Sequence, residues 1–192
     1  MFKAGDKEIK ELSEKKIDGI RVFDGVILHV DKDNVELPNG HKAVREAIRH
    51  IGAVCVLPVT EHNEFVLEHQ YRYPVNEIIT ELPAGKLDSK DEEHLSAAKR
   101  ELLEETGITA DEWIALGYFY PAAAYSDEKI KMFIAKKLHF GQSRPDEDEF
   151  VNVVKIPAER AIRMVMDGEI PDSKTQIAIL KYKNLFLNYS QN

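Results

Sequence analysis

Cysteine is almost missing from this chain: Cys55 stands alone among 192 residues. An intrachain disulfide is therefore excluded, and a reducing, cytoplasmic setting is expected. Cys55 sits in the apolar stretch 51–59 and reads as a small core residue. That stretch is the longest of its kind, and it falls far short of the roughly 20 residues a membrane helix needs. The opening residues 1–10 are charged and lack the apolar centre of a secretory leader, so a soluble protein that is not exported is expected. Positive charge is also in deficit. The 26 Lys and Arg face 34 Asp and Glu, a formal net charge of −8, and the basic residues are scattered. Nucleic acid and anionic membrane are poor partners for such a surface. An acidic protein that handles phosphates needs metal cations or local arginines. Glycine (10) and proline (8) never gather into a linker-like run, and no internal repeat is visible.

What is present supports one sizeable core, since 43% of the residues are hydrophobic. Residues 20–48 have a strand-like pattern broken by a hairpin turn at Leu37, Pro38, Asn39 and Gly40, which predicts a small antiparallel sheet. Two further strands are predicted at 51–59 and 64–69 around the polar turn Glu61, His62 and Asn63, the first apolar enough to be buried on both faces. Ser89 and Glu92 have capping-box spacing, and Gly107 stands where a helix would end in a left-handed residue. About fifteen residues between them are predicted helical, with Leu95, Ala98 and Leu102 as the buried stripe. Strands are predicted again at 113–120, 129–138 and 150–156, with a loop at 120–128 and an acidic connector at 145–149. Two closing helices follow, one starting at Pro157 and ending near Gly168, the other capped by Asp172 or Ser173. The mixed order implies an α+β sandwich.

The acidic helix carries the chemistry. At 100° per residue, Glu101, Glu104 and Glu105 fall at 0°, about −60° and about +40°, at the edge of the leucine stripe. Carboxylates so placed repel one another unless a cation, a proton or an ion pair intervenes. Arg100 can pair with Glu104 at i, i+4, which leaves Glu101 and Glu105 with spacing suited to Mg²⁺ or Mn²⁺. A solvated helix face laced with ordinary salt bridges is the alternative.

The segment resembles the box motif of the Nudix hydrolases, a loop, helix and loop. Arg100, Glu101, Leu102, Glu104, Glu105, Gly107 and Ile108 match its second half in order, and Glu92 lies seven residues before Arg100. One departure is visible: six residues separate Gly85 from Glu92 where the motif has five, so the loop holds an extra residue or Asp91 shares the role of Glu92. The resemblance implies a Nudix α/β/α sandwich with a mixed β-sheet, a small N-terminal antiparallel sheet and dimerisation region in 1–49, and a catalytic domain in 50–192. It also implies that Glu101, Glu104 and Glu105, with the Ala84 carbonyl, hold divalent metal, Mg²⁺ with Mn²⁺ as the alternative. Arg100 resembles the family's structural arginine. Glu92 is left as either ligand or helix cap.

The flanks extend the resemblance to the branch that cleaves ADP-ribose: Leu37 to Gly40, Arg45 with Glu46, Glu68 through Arg72, Glu81 through Gly85, Pro121, Asp146 through Glu149, and Asp172 through Thr175. The implied activity is metal-dependent hydrolysis of ADP-ribose to AMP and ribose 5-phosphate, in a homodimer whose N-terminal sheets exchange. By the same resemblance Arg72, Arg45 and Glu81 go to substrate, and Arg72 beside Tyr71 and Tyr73 is suited to bidentate phosphate binding. Phe23 is a candidate for base stacking, with core packing as its other reading. Glu128 in the loop, together with Glu104 and Glu105, is a candidate catalytic residue, with Glu128 as the expected general base and Glu104 as its alternative. The loop reads Pro121, Ala122, Ala123, Ala124, Tyr125, where relatives usually have Pro-Gly. This keeps open hydrolysis of other nucleotide sugars such as GDP-mannose. A Nudix-like module that binds a nucleotide metabolite without cleaving it is a separate rival, whose mark would be loss of box residues, yet Arg100, Glu101, Glu104 and Glu105 are all present.

Overall fold

A computed structural model describes residues 12–144 and 150–187; the charged opening residues 1–10 and the acidic connector 145–149 lie outside them. The chain divides into two units, one ending at His50 and including Ala122–Glu128, the other running Ile51–Pro121 and resuming at Lys129.

In the first unit, β1 (Lys15–Asp24), β2 (His29–Glu36) and β3 (Lys42–Arg49) form an antiparallel sheet in that order. The predicted turn joins β2 to β3. Gly40 adopts φ 82°, and its N–H donates to the Leu37 carbonyl at 2.8 Å. Every residue of β1 is exposed. Segment 122–128 is stitched to the end of β3: the Ile48 N–H donates to the Tyr125 carbonyl at 2.7 Å, and the Asp127 N–H to the Ile48 carbonyl at 3.2 Å.

In the second unit, alternation along β4 (Ala53–Pro58) organises the core. Ala53, Cys55 and Leu57 face one apolar cluster, Val54 and Val56 the other. Both faces are buried, as the unbroken apolar run predicts. The strand lies inside a four-stranded sheet with β7 (Ala84–Lys86), β9 (Ile130–Phe140) and β8 (Ile108–Phe119), in the order β7-β4-β9-β8. The β4–β9 pairing is parallel and the others antiparallel, so the sheet is mixed. An antiparallel sheet of β10 (Val151–Pro157), β5 (Glu64–Arg72) and β6 (Glu77–Glu81) completes the strands. Helix α1 (His94–Thr106) covers one face through Ala97, Ala98 and Leu102. Helices α2 (Ala158–Met166) and α3 (Ser173–Tyr182) cover the other through Ala161, Val165, Ala178 and Ile179. This is the expected α/β/α sandwich. Full burial of Leu57, Leu67 or Leu102 contributes about 2 kcal/mol each to holding the layers together.

Two expectations need correction. Helix α1 does not start from a capping box at Ser89. Glu93, in extended conformation, is the N-cap, and its carboxylate accepts from the Ser96 N–H at 2.8 Å. Glu92 instead folds back to accept from the Asp88 N–H at 2.7 Å, which keeps residues 89–92 out of the helix. The predicted strand at 113–120 begins five residues earlier, at Ile108, because left-handed Gly107 (φ 71°) turns the chain directly from α1 into β8.

Candidate active site

The site is built on one face of α1. Glu101 and Glu105, one turn apart, are 8% and 2% exposed on the same side as Ala98 and Leu102. Glu104, a step round the helix, is partly exposed. Strand β7 forms the floor beneath the two buried acids. Its Ala84 N–H donates to Glu105 Oε2 at 2.9 Å. Gly85 lies against Glu101, and a Cβ on Gly85 would fall 2.1 Å from the Glu101 carboxylate carbon. Glycine is therefore needed here to leave room for the carboxylate head.

Arg100 organises the rest of the cluster. Its Nη1 donates to Glu101 Oε1 at 2.8 Å and to Glu104 Oε2 at 3.1 Å, its Nε to Glu92 Oε1 at 3.3 Å, and its Nη2 to the Lys86 carbonyl at 3.1 Å. Burial alone would lower the guanidinium pKa, but Glu92, Glu101 and Glu104 hold it well above the ordinary arginine range. The Asp88 N–H and then Arg100 hold the Glu92 carboxyl below the usual carboxylate range. Arg100 thus takes Glu101 as well as Glu104, where the helical spacing alone offers only Glu104. Neither the expected cap role nor a place on the helix face belongs to Glu92, which acts as a loop partner of Arg100.

The donor chemistry suits a hard divalent cation. Glu92, Glu101 and Glu104 gather around one guanidinium, and Glu101 and Glu105 are buried above β7, whose Gly85 carries no side chain. Among the described residues, no three acidic or imidazole groups converge tightly enough to close a coordination shell by themselves. Arg100 holds Glu101 and Glu104 toward itself, so their oxygens would have to exchange Arg100 bonds to meet a cation. The Ala84 backbone reaches this face through its N–H to Glu105.

A second cluster lies at the ends of β5 and β6. Arg72 forks onto Glu81, Nε to Oε1 at 2.7 Å and Nη2 to Oε2 at 3.0 Å. Nη1 is the donor edge that Glu81 does not engage. Burial works against the Arg72 charge, but Glu81 and the Glu68 behind it hold its pKa above the ordinary value. Glu81 is 1% exposed and stands behind Arg72. Its other partner is Lys174, whose Nζ donates to Glu81 Oε2 and, at 3.1 Å, to Asp172 Oδ1. Sequence reasoning did not single out Lys174. A signal was available: a lysine in the first turn of a helix opposes the helix dipole and needs an acidic partner to be stable there. Tyr71 and Tyr73, flanking Arg72, are 51% and 84% exposed.

The remaining candidates lie in the first unit. Arg45 is ion-paired with Glu14, its Nε donating at 2.9 Å. Phe23 is 55% exposed on β1, which corrects its core-packing reading. Glu128 is partly buried, with its carboxylate 3.9 Å from His50 Nε2 and its N–H donating to Ser126 Oγ at 3.1 Å. Beside it, Asp127 accepts from the His50 N–H at 2.7 Å and from Arg49 at 3.3 Å.

Comparison with known proteins bears on most of the chain. The family profile described as NUDIX domain matches residues 49–174. An ADP-ribose pyrophosphatase of Bacillus subtilis (strain 168) is 40% identical over 173 residues, 89% of this chain and 93% of that protein. A methanol dehydrogenase activator of Bacillus methanolicus is 39% identical over 172 residues, 88% of this chain and 92% of that one. A crystal structure described as an ADP compounds hydrolase superposes with a TM-score of 0.83 over 94% of this chain and 97% of its own, at 21% identity, a likeness of fold.

Proposed function

This chain belongs to the NUDIX family, and on that premise we propose that it hydrolyses the diphosphate of ADP-ribose, or of a closely related ADP-sugar, to AMP and a sugar phosphate, using Mg²⁺ or Mn²⁺. The observation that carries the hydrolytic half is the pair of buried carboxylates, Glu101 and Glu105, above the bare floor of Gly85. The 40% identity with an ADP-ribose pyrophosphatase along nearly the whole chain supports the substrate.

In this reading Glu101, Glu104 and Glu105, with the Ala84 carbonyl, hold the cation. When bound, such an ion neutralises the diphosphate and acidifies water. Arg100 positions the carboxylates, because its planar fork fixes several of them at once. Arg72 offers Nη1 to a phosphate oxygen while Glu81 keeps its guanidinium in plane. Water adds to one phosphorus, that phosphorus's bond to the bridging oxygen breaks, and the second phosphate leaves with that oxygen, giving AMP and ribose 5-phosphate. Glu128 is assigned the water proton, with Glu104 as the alternative acceptor. Arg45 and Phe23 are assigned to the substrate's nucleoside end.

The N-terminal region 1–49 is proposed to dimerise, exchanging its sheet with a second copy, while 50–192 is catalytic. Exposure of Ile17, Ile20, Val22, Phe23 and Val26 through Leu28 supports this, since one sheet rarely leaves so many apolar side chains in water. A cytoplasmic location fits the lone buried cysteine. No helix among the described residues is long and apolar enough to cross a membrane.

The test is a substrate panel. Purified protein with Mg²⁺ and, separately, ADP-ribose, ADP-glucose, GDP-mannose, UDP-glucose and nucleoside triphosphates should release AMP fastest from ADP-ribose. Preferred cleavage of GDP-mannose would move the assignment to other nucleotide sugars. Turnover of none, with retained nucleotide binding, would favour the non-catalytic module.

A further inference from the structure

The Asp172, Ser173, Lys174, Thr175 segment has no place in the reaction as drawn above, yet its contacts lead to it. Asp172 caps α3, accepting from the Thr175 N–H at 2.9 Å and from the Thr175 hydroxyl at 2.6 Å. The Thr175 hydroxyl in turn accepts from the Leu82 N–H at 2.9 Å. The start of α3 is thereby bonded to the residue that follows Glu81 and precedes the Pro83, Ala84, Gly85 floor. Lys174 lies between these anchors, 8% exposed, with its ammonium on both Glu81 and Asp172.

Charge explains why a lysine is held there. Glu81 is paired in register with Glu68 on the neighbouring strand, and both are 1% exposed. Two adjacent buried carboxylates demand more positive charge than Arg72 alone provides, and Arg72 is turned partly to solvent. Lys174 supplies the second cation from inside. Its position in the first turn of α3 and its burial both oppose its charge; Asp172 and Glu81 compensate and hold its pKa above the ordinary lysine value.

We infer that Lys174 is a positioning residue for substrate: by neutralising Glu81 from within, it leaves the Arg72 guanidinium oriented by that carboxylate but not consumed by it, so Arg72 can engage an anionic diphosphate. Without Lys174, Arg72 would be the only cation among the described residues bonded to Glu81, and its one charge would be shared between that buried carboxylate and a phosphate at Nη1. The inference rests on the reading of Arg72 as a substrate residue. It predicts a defect in binding, not in turnover.

Steady-state kinetics with the full chain, Mg²⁺ and ADP-ribose test it. Arg72→Ala should raise KM at least about tenfold; Lys174→Met should raise KM about five- to tenfold with kcat within about twofold; Lys174→Arg should restore KM to within about twofold. The double variant Lys174→Met/Arg72→Ala should be no worse than Arg72→Ala, because both changes interrupt the same contact. Multiplicative defects in the double variant, or a normal KM in Lys174→Met beside a raised KM in Arg72→Ala, would overturn the inference and leave the Arg72 reading intact. A normal KM in Arg72→Ala would remove both. Should Lys174→Met fail to fold, Glu81→Gln takes its place: it should raise KM as Arg72→Ala does, and a normal KM there also overturns the inference.

Discussion

Gly85 and Glu101 share one space: the hydrogen that glycine carries in place of a side chain is what lets the Glu101 carboxylate lie on β7, with a hypothetical Cβ only 2.1 Å from its Oε1. The neighbour that would have to move is the end of a flexible side chain. Gly85→Ala should therefore fold with little change in Tm while displacing the carboxylate. Activity on ADP-ribose should fall about a hundredfold at saturating Mg²⁺, and more metal should not rescue it. Wild-type activity in that variant would show that the position of Glu101 is not critical.

Glu105→Gln separates charge from shape. The amide oxygen can still accept from the Ala84 N–H, so the floor stays bonded, but one negative charge is lost from the most deeply buried acid of the helix. The expected loss in kcat/KM is at least about a hundredfold, on the order of 3 kcal/mol. Near-normal turnover would remove Glu105 from the proposed metal ligands.

Arg100→Lys keeps the charge and loses the fork. Lysine has no planar donor set to hold Glu92, Glu101, Glu104 and the Lys86 carbonyl together. Both Tm and activity should fall, the latter by roughly tenfold or more. Unchanged values in a thermal melt and a rate assay would mean the network is dispensable.

Glu128→Gln tests the proposed base. A drop in kcat of about a hundredfold or more with KM nearly unchanged is expected. If kcat holds, the proton goes elsewhere and Glu104→Gln becomes the decisive variant.

Cys55 makes a pH prediction. Burial pushes its thiol up to about 12 from an ordinary value near 9. Below pH 9 the thiol is protonated in both the folded and the unfolded chain, so it contributes nothing to pH dependence there. Above pH 9 the unfolded chain loses the proton first, so stability should decline as pH rises from 9 towards 12. Alkaline denaturation of Cys55→Val should lack that component. A disulfide-exchange reagent at pH 8 should label native protein only after denaturant is added; rapid native labelling would contradict the burial.

The core and the acidic face were legible in the sequence for a physical reason: both are periodic. The apolar run around Cys55 signals a strand buried on two sides, and Glu101, Glu104 and Glu105 project from one helix whatever lies around them. Gly107 marked the helix end because a left-handed position favours glycine. Strands β6 and β7 escaped notice because one has five residues, the other three, and Pro83 lies close by. The cap was misplaced by a few residues because Ser89 and Glu92 have capping-box spacing, while the chain uses Glu93. Least visible was the cluster behind Arg72. Lys174 and Glu81 are 93 positions apart, and only the docking of α3 against the end of β6 brings them together.

The extra residue between Gly85 and Glu92 is bounded by two fixed points. Gly85 is paired with Val54 inside the sheet, and Glu92 is tethered by Arg100. Lys86, Leu87 and Asp88 are tied to Arg100, the core and Glu92, so chain length can vary only at the exposed tip of Ser89, Lys90 and Asp91, and that tip is a splice point. A protein engineer could lengthen it further or place a fluorescent label there without disturbing the acids of the helix.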